Sequence, residues 1–158
     1  MLPTDLFGLG YGVLVAIAFI LAAASGRSVL TISAIIMIVS WWVSNLVVNT
    51  LGFAAYPYVV PEVDGALALV MVWALKQSFD RWIAVAVGFF VTEEILHVVF
   101  ICNHSTGTIA YNALLNGVFV AQCFCIGGSA IVALSMAGRS ARGRRRFGNP
   151  GLVRRRSL

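Results

Sequence analysis

Charge is what this chain has least of. Only 11% of its 158 residues are Asp, Glu, Lys or Arg, whereas a soluble domain carries about 25% because its surface faces water. Eight of the eleven Lys and Arg residues fall between Arg139 and Arg156, so the body before them is nearly uncharged. The net charge of +5 belongs to the C-terminal tail and says little about the fold. Cysteine is also scarce. Three residues, Cys102, Cys123 and Cys125, do not make a disulfide scaffold. On a helix, positions 123 and 125 point about 200° apart, so they cannot chelate a metal as one Cys-x-Cys unit. They read as small apolar side chains.

Other absences exclude chemistries. The chain has no phosphate-binding Gly-rich loop, no His-Glu-x-x-His and no Gly-x-Ser-x-Gly elbow. No nucleophile–base pair or complete metal set can be assembled, which argues against an enzyme and leaves no cofactor and no metal to expect. No internal repeat stands out, so an inverted-repeat transporter finds no support.

What is abundant is apolar sequence: 60% of the residues are hydrophobic and the mean hydropathy is +0.93. A spanning helix needs about 20 mostly apolar residues. Such stretches occur at about 7–24, 28–52, 58–75, 82–102 and 109–137. The expected fold is therefore all-α: a polytopic transmembrane bundle of about five spans over residues 1–138, followed by a disordered basic tail over 139–158. In the third span Pro61, Glu62 and Asp64 crowd the start, where proline and acids suit a first helical turn.

Lys and Arg in short loops set orientation. Arg27 follows the first span, and Lys76 and Arg81 separate the third from the fourth. The segments Phe53–Tyr56 and Asn103–Thr108 contain neither residue type. Five spans place every basic loop and the tail on one side, giving a bacterial inner-membrane protein with its N-terminus outside and its C-terminus in the cytoplasm. The stretch ending Ala22-Ala23-Ala24-Ser25 resembles a signal-peptide cleavage site. Yet Met1–Gly10 carries Asp5 and no Lys or Arg, the wrong charge for such a leader, so the first span is retained. The tail arginines Arg142, Arg144, Arg145, Arg146, Arg154, Arg155 and Arg156 fit contact with anionic lipid headgroups. Nucleic acid is the less favoured partner, since lipid beside a membrane helix suffices to explain them.

The anomaly is Thr92-Glu93-Glu94-Ile95-Leu96-His97 inside the fourth span. At 1.5 Å per residue Glu93 lies about 16 Å from Trp82, near the midplane of a core about 30 Å thick. An acid there costs about 2.5–3.5 kcal/mol on insertion scales. His97 lies about 40° from Glu93 and about 60° from Glu94 around the helix, so it can bond to either. Asn45, His97 and Asn116 come out roughly 8–11 Å from the outer ends of their spans. With Asn49 and Asn112 they predict a polar cluster of the second, fourth and fifth helices in the outer leaflet. Glu62 and Asp64 are expected at the mouth above it. The inner half offers only Ser40, Gln122 and Ser129. A structural knot of amides and carboxyls is one reading; an ion or proton site is the other. Glu94-x-x-His97 has the spacing of di-iron carboxylate bundles, but those need two copies, and the second histidine, His104, is expected in the outer loop.

The run Pro61-Glu62-Val63-Asp64, then His97, then Tyr111-Asn112-Ala113-Leu114-Leu115-Asn116-Gly117-Val118-Phe119-Val120-Ala121-Gln122 resembles small multi-span membrane proteins of tailed phages and prophages. The resemblance covers roughly residues 51–127. Neither the paired Glu93-Glu94 nor the Arg tail is part of it. It implies a non-enzymatic phage-type membrane protein, holin-like or an accessory or exclusion factor. The competing expectation is a proton or cation channel or transporter subunit using Glu93, Glu94 and His97. Five spans are few for a complete transporter, so that function implies a homo-oligomer.

Overall fold

The computed structural model describes the backbone of residues 4–77, 79–103 and 108–147, and the side chains of residues 10–52, 54–77, 79–103 and 108–140. Within them five helices follow one another: α1 (Thr4–Ala24), α2 (Ser28–Leu51), α3 (Tyr56–Gln77), α4 (Arg81–Cys102) and α5 (Thr108–Phe147), with one 3₁₀ turn, Phe53–Ala55, before α3. No strand occurs among the described residues. The connections are short, so consecutive helices run antiparallel as near neighbours. Gly26 and Gly52 adopt φ of 68° and 82°, a left-handed conformation that glycine enters without a Cβ clash. They end α1 and α2 where the chain reverses.

Around the bundle, α1 packs on α2, α2 on α3, α3 on α4, α4 on α5 and α5 back on α1. The ring is closed. α2 and α5 also touch across it, which leaves α2–α5 as a four-helix unit with α1 against its side. There Gly12 faces the Trp41 ring at a distance where an added Cβ would lie 3.2 Å from it. Tyr11 meets Phe119 edge-on at 5.7 Å.

Polarity is inverted relative to a soluble bundle. The outward faces carry Leu69, Trp73, Ile95 and Phe124, all exposed, while Asp64, Glu93, His97 and Gln122 are buried. In water this would leave large apolar faces uncovered; in lipid it is the expected arrangement. α2, α3, α4 and Thr108–Ser140 of α5 are each long and apolar enough to cross a membrane. α1 contributes a shorter apolar stretch among the described side chains, Gly10–Ala24.

Two boundaries differ from expectation. α3 starts at Tyr56, so Pro57 occupies its first turn and Pro61 lies inside the helix. α5 runs to Phe147, ten residues beyond the expected 137, so the tail's first part is helical. Ala and Arg are good helix formers, and proline, the strongest breaker, does not occur until Pro150. Residues 148–158, with Arg154, Arg155 and Arg156, lie outside the described residues, as does His104. The side chains of Arg142, Arg144, Arg145 and Arg146 also lie outside them.

At the end of the bundle that carries Arg27, Asp80 ties three elements together. Its Oδ1 accepts from the backbone N–H groups of Trp82 (2.9 Å) and Ile83 (3.3 Å), capping α4. Its Oδ2 accepts from the Arg27 guanidinium at 2.6 Å and from the Ser129 hydroxyl at 2.8 Å.

Candidate functional site: a buried acid–histidine column

The side chains buried on α4 are Ile83, Ala86, Phe90, Glu93 and His97, a 3-4-3-4 spacing that keeps one stripe facing inward. Glu93 and His97 are therefore inward by register, and Glu94, one residue out of phase, is only half-buried. On α3 the inward stripe is Pro57, Val60, Asp64, Met71 and Ala74. Glu62 lies about 200° from Asp64 around that helix, and it is exposed while Asp64 is 1% exposed. Tyr111, Gln122 and Ser129 of α5 are separated by 11 and 7 residues, which puts them within about 20° of one line. All three are buried.

These stripes converge. One ligand-capable atom from each of Asp64, Glu93 and His97 lies within 4.8 Å of the others. The Ser40 hydroxyl donates to Asp64 Oδ1 at 2.6 Å, and Gln122 Nε2 donates to Glu93 Oε2 at 3.2 Å. His97 Nδ1 and the Tyr111 hydroxyl share a 2.6 Å hydrogen bond. Tyr111 stacks on Phe100 with centroids 4.0 Å apart, and Tyr56 lies beside the imidazole at 5.9 Å. Among the described residues, two buried side-chain polar atoms have no partner: His97 Nε2 and Glu94 Oε1. The latter lies close to Gly65, where an added Cβ would come within 3.9 Å of it.

Counted from the end opposite Arg27, the column descends in order. Tyr111 lies about 5 Å along its helix, His97 about 8 Å, Asp64 about 12 Å, Glu93 about 14 Å, Ser40 about 17 Å and Gln122 about 21 Å. Below it Met37, Met71, Phe90 and Ile126 fill the core before the Asp80 cluster begins. The polar side chains from Tyr111 to Gln122 are all buried, and apolar packing separates them from the Asp80 cluster.

The column differs from the cluster expected from sequence. Asp64 is not at the mouth; it is a core member because α3 begins earlier and its register turns residue 64 inward. Glu62 is exposed but contributes nothing to the column. The amides do not join either. Asn45 spends its Nδ2 on the Trp41 carbonyl of its own helix at 2.7 Å. Asn112 is half-buried, and Asn49 and Asn116 are exposed. Ser40 and Asn45 are about 140° apart on α2, so both cannot face inward. Ser40, Gln122, Tyr56 and Tyr111 take the places expected for asparagines. Asn49→Ala and Asn116→Ala are expected to change unfolding free energy by no more than about 0.5 kcal/mol, measured by denaturant titration in detergent.

The electrostatics are unbalanced. No Lys or Arg occurs between Arg27 and Lys76 or between Arg81 and Arg139. The acids of the column therefore have no basic partner within the spans other than His97. A charge buried without a partner is expensive, so Asp64 and Glu93 need a proton or a cation from outside the chain.

No protein-family model, curated protein or solved structure matches this chain. Function therefore has to be read from the site itself.

Proposed function

We propose that this chain is a membrane-embedded cation-handling protein whose Asp64–Glu93–His97 cluster takes up a proton or another cation from one face of the bilayer. The observation that carries this reading is the burial of two acids and an imidazole with an unpartnered nitrogen in helices whose Lys and Arg lie only at the Arg27 end. Glu94, in the earlier expectation a core member, becomes an accessory acid, and Asp64 takes its place. In this reading α1 is a fifth span, and the basic end with Arg27, Lys76 and Arg81 faces the cytoplasm. The Tyr111 end of the column then lies nearer the outer face, and the arginines after Arg139 lie against anionic headgroups of the inner leaflet. The competing reading, a phage-type holin-like or accessory or exclusion factor, rests on the sequence resemblance and on a small polytopic body with a basic tail, and gives the buried acid column no role.

Purified protein in liposomes tests the choice. Wild-type protein is expected to carry a proton or metal-ion flux under an imposed gradient, read with encapsulated dyes, and Glu93→Gln is expected to reduce it at least about tenfold. Absence of any such flux, with release of large encapsulated dyes instead, would favour a holin-type pore and reject the cation reading.

A further inference from the structure

We infer that the cation is a divalent first-row transition metal, held by one carboxylate oxygen each from Asp64 and Glu93 and by Nε2 of His97. This inference rests on the cation reading above and narrows it.

The donor set is two carboxylates and one imidazole, and their ligand-capable atoms already fall within 4.8 Å of one another. Zinc and related divalent ions bind such sets at about 2.0–2.2 Å from each donor, with three protein ligands leaving a position for water or an exchanging ligand. Ligands around a single ion at those bond lengths stand about 3–4 Å apart. The observed upper bound of 4.8 Å is close to that spacing. Two negative charges match a dication, which leaves the loaded site near neutral where no Lys or Arg can compensate.

The imidazole supplies the second, independent observation. His97 is wholly buried, its Nδ1 is engaged by Tyr111, and its Nε2 has no partner. Buried polar atoms are almost always satisfied, so an unpartnered nitrogen on an imidazole that has a donor atom within 4.8 Å of two carboxylates points to a ligand. When Nδ1–H donates to the Tyr111 oxygen, Nε2 carries a free lone pair that can ligate the ion. Metal-binding histidines are held in this way through their other nitrogen. Tyr111 is thus a positioning residue, itself fixed by stacking on Phe100. Ser40 and Gln122 orient the two carboxylates from behind. A hard, oxygen-only ion such as Mg²⁺ gains little from the nitrogen and keeps its waters, so selectivity against it follows.

The test uses full-length protein in lipid nanodiscs, titrated with Co²⁺ and read by visible absorption, with Zn²⁺ as competitor and Mg²⁺ in excess. The expected result is one ion per protein, displaced by Zn²⁺ and indifferent to Mg²⁺. Asp64→Asn, Glu93→Gln and His97→Ala should abolish the signal, Tyr111→Phe should weaken affinity about 10–100-fold, and Asn116→Ala should leave it unchanged. Because a core variant can misfold, proton release from wild-type protein on Zn²⁺ addition is measured in weak buffer; binding at protonated ligands must release protons. No saturable binding, or binding that survives all three ligand substitutions, overturns the metal assignment. If a Glu93-dependent proton flux persists in that case, the cation reading stands without it. If flux is also absent, both fall.

Discussion

Asp64→Asn is expected to lower cation flux at least about tenfold while leaving the bundle as stable as before, or more so by up to about 2 kcal/mol. The asparagine carbonyl can still accept the Ser40 hydroxyl that now reaches Asp64 Oδ1 at 2.6 Å. What disappears is an ionisable group buried to 1% exposure, whose neutralisation is a cost to folding. A purely structural knot predicts the reverse sign, because there the acid is present for its hydrogen bonds and its loss loosens the helices. Measuring flux in liposomes and unfolding in detergent on the same variant separates the two. Loss of function with loss of stability would favour the knot; loss of function without it favours the cation site.

Asp80→Ala should have the opposite character. Asp80 accepts four hydrogen bonds, from Arg27, Ser129, Trp82 and Ile83, at the point where α4 starts and the α1–α2 turn meets α5. Alanine removes the α4 cap, worth about 1 kcal/mol. It also strands the buried Ser129 hydroxyl and releases a half-exposed Arg27, whose ion pair contributes less than a buried one. A loss of about 2–4 kcal/mol is expected, measured by denaturant titration, with metal or proton binding at the column retained in the folded fraction.

Asp80 also has a pH signature. Burial raises its pKa, but the Ser129 hydroxyl, the Ile83 and Trp82 backbone N–H groups and the Arg27 charge outweigh it and hold the carboxyl below its ordinary 3.8. A carboxyl depressed in the folded state stabilises it fully above the unfolded value, and that contribution fades as pH falls through the folded one. The stability gap between wild type and Asp80→Ala should therefore be constant from neutral pH to about 5 and narrow below about 4. A gap that widened in acid would refute this assignment.

Much of this organisation is legible in the sequence. Long apolar runs separated by Arg27 or Lys76–Arg81 give the helices, because few other structures satisfy the backbone in lipid. Glu93 and His97 stand out because acids and imidazoles inside spans are rare. Asp64 is harder to place, since Pro61 and Glu62 beside it look like a helix start. Its phase with Val60, Met71 and Ala74 marks it as a core position, and that register outranks the local proline signal. Tyr111, Gln122 and Ser129 share a stripe through spacings of 11 and 7, a pattern already available within the expected 109–137 span but masked by the asparagines at similar depth. The asparagines mislead because equal depth does not mean equal facing; angle around the helix decides. Asp80 carries a sequence cue too, an acid just before an apolar run, but its bonds to Arg27 and Ser129 depend on tertiary packing.

Infrared difference spectroscopy of the protein in lipid reads the buried carboxyls themselves. Adding a transition metal or stepping the pH on the outward side should change the carboxyl stretching bands, with the response reduced in Asp64→Asn and again in Glu93→Gln. Bands indifferent to every cation tested, identical in wild type and both variants, would contradict a cation site in the column.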